Sequence, residues 1–97
     1  MENDEKGYNG WTNYETWAVK LWLDNEETSY RYWLECARHF RESDGDDKDK
    51  SAYRLAKMLK EQIEEGSPLS SGMYADLLGA ALSMVDWREI AFAMLED

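Results

Sequence analysis

Apolar residues recur along this chain with helical spacing in five stretches, and no window alternates with period two for long enough to argue a strand. Tyr14, Trp17, Ala18, Leu21 and Trp22 fall at i, i+3, i+4, i+7 and i+8, one face of a first helix. Thr12, three residues before Glu15, has the form of a capping box that would start it. Asp24-Asn25 interrupts the pattern, and Asn25 is placed to cap a second helix with the stripe Tyr30, Trp33, Leu34, Ala37 and Phe40. Arg38, His39 and Arg41 follow in its last turn, where cations suit the helix dipole.

The segment from Ser43 to Asp49 has no apolar residue and reads as a loop. Ala52, Leu55, Ala56, Leu59 and Ile63 then mark a third helix ending at Gly66. Ser67-Pro68, or else Ser70 or Ser71, opens a fourth with Tyr74, Leu77, Leu78, Ala81, Leu82 and Val85 on one side. That stripe is the clearest in the chain, and Gly79 is its weak point. Asp86 and Glu89 repeat the capping logic before Trp87, Ile90, Ala91, Met94 and Leu95. The pattern predicts an all-α fold, a compact bundle of four to five short amphipathic helices spanning residues 11–97. Residues 1–10 are acidic and polar apart from Tyr8 and read as a flexible tail.

Composition sharpens this picture. A chain of 97 residues has room for one core. It carries 21 Asp and Glu against 11 Lys and Arg, a formal net charge of -10. Such acidity usually accompanies disorder and few aromatics, yet 13% of this chain is aromatic and 43% hydrophobic, enough for a packed interior. Repulsion from phosphates excludes direct binding to nucleic acid through charge neutralisation. No apolar run approaches the roughly 20 residues of a membrane span. The acidic N-terminus is the reverse of a signal peptide. A single cysteine, Cys36, forms no internal disulfide and fits a reducing cytoplasm.

Catalysis is hard to assemble from these residues. His39 and Cys36 are the only histidine and thiol, and a nucleophilic pair also needs an activated thiolate and an oxyanion hole. The acids of the 43–49 loop fail the calcium pattern, since counting from Asp44 puts Asp49 at the glycine position and Leu55 at the bidentate position. No phosphate loop and no zinc spacing is present, so neither cofactor nor metal is expected, and no enzyme.

The acids themselves are the remaining chemistry. A net charge of -10 exceeds the magnitude of about 2 to 8 that solubility asks of a small domain. Glu26 and Glu27 open helix two; Asp44, Asp46, Asp47 and Asp49 fill the loop; Glu61, Glu64 and Glu65 line the flank of helix three. These are the candidate contacts for a positively charged partner. Trp17, Trp22, Trp33 and Trp87 occupy stripe positions and are expected in the core. Trp11, Tyr32 and Tyr53 lie off or at the edge of the stripes and are candidate interface anchors.

Two blocks carry a resemblance. Gly10-Trp11-Thr12-Asn13-Tyr14-Glu15-Thr16-Trp17, continued by Leu21-Trp22-Leu23-Asp24-Asn25 and Tyr30, forms the first; Ala75-Asp76-Leu77-Leu78, Ala81-Leu82 and Val85-Asp86-Trp87-Arg88-Glu89-Ile90-Ala91 form the second. Together they resemble a family of small uncharacterised proteins of phages, plasmids and other mobile elements. The resemblance supplies no catalytic residues. It implies a setting in which small acidic proteins act against host defence, as anti-restriction or anti-CRISPR inhibitors. The expectation is therefore a cytoplasmic, non-enzymatic inhibitor that mimics the charge of DNA and binds the basic surface of a host nucleic-acid-binding protein. The alternative is a helical adaptor, able to pair with itself or another protein, whose acidity serves solubility only.

Overall fold

The computed structural model describes residues 7–96, which form five helices in the order α1 (Tyr14–Asn25), α2 (Glu27–Ser43), α3 (Lys48–Glu65), α4 (Met73–Ser83) and α5 (Trp87–Leu95). The all-α bundle predicted from the periodicity is the fold observed. α2 and α3 are joined by four residues and run antiparallel as a hairpin, with Tyr32 near the start of one hydrogen-bonded to Gln62 near the end of the other. α5 lies against this hairpin, packing most heavily on α3 and also on α2 and α1. Its short sequence buries Trp87, Ile90, Ala91, Met94 and Leu95. These meet Leu55 and Leu59 of α3 and Trp33 and Ala37 of α2 in one cluster. Each fully buried Leu or Ile there contributes about 1.5–3 kcal/mol of transfer free energy.

The starts of α1 and α2 are set by side chains one residue away from the expected caps. Asn13, not Thr12, caps α1: its Oδ1 accepts from the backbone N–H of Thr16 at 2.9 Å. Thr12 instead donates its backbone N–H to Glu89 Oε1 at 3.1 Å, so Glu89 reaches across the fold rather than back to its own helix start. Glu26, not Asn25, caps α2 by accepting from Ser29 N–H at 2.8 Å. Asp86 caps α5 as expected, accepting from Glu89 N–H. α4 begins at Met73, after Gly72, with no side-chain cap; Ser67 is spent in a local turn with Leu69.

Residues 7–10, read from sequence as part of the tail, form a tight turn; residues 1–6 of that segment lie outside the described residues. Tyr8 and Trp11 exchange both backbone hydrogen bonds, at 2.8 and 2.7 Å. Asn9 and Gly10 between them have φ of 46° and 88°, the Asn-Gly pairing that a two-residue hairpin turn demands. The turn lays the Tyr8 ring edge-on against Tyr14 and Trp17.

The main departure from expectation concerns α1 and α4. Trp33 and Trp87 are buried, whereas Trp17 is half-buried and Trp22 stands mostly in solvent. α4, with the clearest stripe, buries no residue at all, and Tyr74 and Leu77 are exposed. Leu82 packs against the core from a partly buried position, and Val85, just past the helix end, enters it. The radius of gyration, 14.1 Å, exceeds the about 12.5 Å of a spherical domain of this length, and the body is flat, 43 × 38 × 24 Å.

Buried polar groups pin the two ends of the chain together. Thr16 is fully buried; its Oγ1 donates to Asn13 Oδ1 and accepts from Asp86 N–H at 2.8 Å. Asn13 Nδ2 in turn donates to the Met84 carbonyl at 2.6 Å. Thr16→Val keeps the volume but strands the Asp86 N–H and frees Asn13. Urea unfolding of this variant is expected to show a loss of about 1–3 kcal/mol; a change under about 0.5 kcal/mol, the size of an ordinary surface substitution, would contradict the pin.

Candidate acidic interface

The hairpin sorts the candidate acids into two groups. α2 is 17 residues long, so its two ends stand about 25 Å apart. Asp44, Asp46, Asp47 and Asp49 gather at the turn of the hairpin. Glu26 and Glu27, at the start of α2, share the opposite end with Glu61, Glu64 and Glu65 at the close of α3.

At the turn, one of the four acids is buried and two more are engaged at the surface. The Asp44 side chain is buried, paired with Arg54 at 2.5 Å and accepting from Ser51 Oγ at 3.0 Å. Arg54 lies over the Phe40 ring, 4.7 Å from its centroid, which fixes the pair from above. Asp47 caps α3 by accepting from Lys50 N–H. Asp49 meets Arg88 at 3.3 Å, and neighbouring Lys48 meets Glu96 at 3.2 Å. Asp46, held at a positive φ of 69° beside Gly45, carries no ion pair among the described residues. Asp44 is thus turned inward rather than facing outward as a partner contact, whereas Asp47 caps α3 from an exposed position.

The other end keeps its charge. Glu27 pairs with Arg31 and Glu64 with Lys60, both exposed i, i+4 pairs that contribute little. Glu61 and Glu65, one turn apart, have no ion pair among the described residues, and Glu26 uses only one of its oxygens, on Ser29 N–H. Neither α1 nor α3 carries a basic residue in its last turn, so the negative ends of both helix dipoles are left uncompensated here. Between these ends opens a groove of about 450 Å³. Leu23, Trp33 and Ile63 give it an apolar floor, and Glu26, Tyr32 and Gln62 give it polar walls. Tyr32 and Gln62 fix one another by hydrogen bonds across the hairpin, at 2.9 and 3.2 Å.

Of the three candidate anchors, Tyr32 alone joins this groove. Trp11 is half-buried and packs against the core, and Tyr53 stands exposed on α3, nearer the turn. Leu23, Gln62 and Ile63 were not among the candidate contacts, Ile63 being read as part of the α3 stripe. Their signal is the short α2–α3 connection, which sets the start of α2 beside the end of α3.

A second groove of about 250 Å³ is lined by Tyr32, Glu35, Cys36, His39, Phe40 and Met58. Burial pushes the Cys36 thiol above its ordinary 9.0, partly offset by a hydrogen bond with Tyr32 and reinforced by the Glu35 carboxylate. The thiolate fraction at neutral pH falls accordingly, the reverse of what a nucleophile requires. Because the folded state favours the neutral thiol, its contribution to stability is present below pH 9 and fades as pH rises through the raised value. Among the described residues no group of three or more His, Cys, Asp or Glu side chains is gathered to hold a metal ion. No helix among them is long and apolar enough to cross a membrane.

The fold and this groove define a small acidic five-helix domain with a charged cleft at one end of a helical hairpin. The chain belongs to a family of unknown function (DUF7249), which it matches over residues 4–96. Neither a curated protein nor a solved structure matches it.

The two kinds of acid separate by mutation. Asp44→Ala is expected to cost about 2 kcal/mol in thermal or urea unfolding, because Ser51 and Arg54 lose a buried partner. Asp46→Ala is expected to stay within about 0.5 kcal/mol of the parent. Equal effects at the two positions would show that the turn does not depend on the Asp44 pair.

Proposed function

We propose that the protein is a non-enzymatic inhibitor that binds a basic, nucleic-acid-binding protein by offering carboxylates where that protein receives phosphates. In the mobile-element setting implied by the resemblance, the target is a host defence protein, a CRISPR effector or a restriction complex. One observation carries this reading: Glu26 lines an apolar groove at the open end of the hairpin, and Glu61 and Glu65, with two uncompensated helix carboxyl ends, add charge at the same end of the molecule. A Lys or Arg side chain of the target would lay its aliphatic stem on Leu23 and Ile63 and its cationic head against Glu26. Asp44, buried against Arg54, has no part in such a contact, and the other acids of the turn line neither of the two grooves. Long-range attraction from a -10 chain speeds encounter with such a target, and contacts in the groove then set the residence time.

The adaptor reading has one observation in its favour, the exposed apolar side of α4, which electrostatic mimicry does not use. The two readings make opposite statements about salt. Affinity capture from host lysate, eluted with duplex DNA and repeated at about 1 M salt, is expected to release nucleic-acid-binding proteins in both elutions. Glu26→Lys/Glu61→Lys/Glu65→Lys is expected to weaken that capture at least about tenfold, while Asp46→Lys changes it little. Capture that ignores salt, DNA and the triple reversal would exclude mimicry and leave the adaptor.

A further inference from the structure

α4 is the least explained element of the fold. Met73, Leu77, Ala80 and Met84 follow at i, i+4, i+7 and i+11 along one side, and Tyr74 stands beside them. Their exposures are 66% for Met73, 70% for Tyr74, 60% for Leu77 and 56% for Met84. Ala75, Leu78 and Leu82 turn the opposite way and line a shallow cavity against the end of α3, so the helix is apolar on both sides. A helix apolar all round is normally covered on both.

Charge says what covers it. Of the 21 acidic and 11 basic residues in the chain, a single one, Asp76, falls between Gly66 and Val85. A basic partner finds nothing to attract it on this face. A second copy of the chain, repelled by a net charge of -10 over the rest of the surface, meets least resistance here.

The stripe is also its own complement. If two α4 helices cross antiparallel about a two-fold axis between Leu77 and Ala80, Met73 of each copy faces Met84 of the other and Leu77 faces Ala80, a large side chain against a small one. Asp76 then faces Ala81. Its mate lies about 7.5 Å away along the axis and 8–10 Å across it, close to or beyond a Debye length in physiological salt. Covering the exposed parts of the four large side chains removes about 500 Å² per copy, short of the about 800 Å² per partner of a stable interface.

We propose that α4 is a self-association face, through which two copies pair isologously as a weak, concentration-dependent dimer. This proposal needs no basic partner and stands or falls separately from the inhibitor reading. Sedimentation equilibrium from micromolar concentration to about 1 mM tests it on the full chain. The mean mass is expected to rise from 11.4 kDa toward twice that value. High salt is expected to strengthen the dimer, because it screens like-charged bodies across an uncharged contact. Leu77→Glu is expected to weaken dimerisation more than tenfold with the helical circular dichroism unchanged, whereas Leu77→Met preserves it. A single-chain mass throughout, a dimer that salt dissolves, or one indifferent to Leu77→Glu would overturn the proposal. If Leu77→Glu alters the dichroism, Met73→Glu, the most exposed large side chain of the stripe, decides in its place.

Discussion

The packing of α5 on the α2–α3 hairpin is the interaction on which the rest of the molecule depends. α5 has nine residues, about 13 Å of helix, and five of them are buried. Ile90 and Ala91 are fully enclosed, as are Leu55 and Leu59 in the same cluster, which makes this the densest part of the core. Arg41 of α2 donates to the Leu95 carbonyl at 2.5 Å, placing a cation on the carboxyl end of α5 and locking it to the hairpin. A hub this short has surface for two long helices and part of a third. α1 obtains its share through the buried Thr16 pin. α4 does not, and its outer apolar side is left uncovered.

The same hub decides where charge is available. By fixing α2 and α3 as an antiparallel pair, it sends one set of acids to a turn crowded with Arg54, Lys50 and Arg88, and another to an end with few cations. Acidity that looks uniform along the chain is partly structural at one pole, where Asp44 is buried, and exposed at the other. The two exposed features, acidic groove and apolar helix, follow from one cause: a core large enough to fold the chain but too small to use all of its amphipathic faces. They also differ in chemistry, so one surface can meet a basic partner while the other meets a neutral one.

Much of this was legible in the sequence. The stripes of α3 and α5 supply most of the core and α2 adds Trp33 and Ala37, because these three helices pack on one another, although Tyr30 of the α2 stripe stands exposed. The stripes of α1 and α4 were just as regular, yet Trp22, Tyr74 and Leu77 lie in solvent. Periodicity records that a face is apolar, not whether a neighbour exists to cover it. The caps slipped by one residue because Thr12 and Asn13 are both competent, and the choice falls to whichever also reaches Thr16 and Met84. The acids were visible as a list only. Pairings such as Asp44 with Arg54 and Asp49 with Arg88 depend on tertiary placement, so the division into engaged and open carboxylates had no local signal. The turn at Tyr8–Trp11 did have one, the Asn9-Gly10 pair, hidden within a polar segment.

Native-state hydrogen exchange at low micromolar concentration tests the central claim most directly, that one small core organises the fold and leaves α4 outside it. Amides of α3 and α5 are expected to exchange only through global unfolding, with a common opening free energy. Amides of α4 are expected to open at least about 2 kcal/mol more easily and to gain protection as the concentration rises. Protection of α4 equal to that of α5 in the dilute monomer would contradict the account.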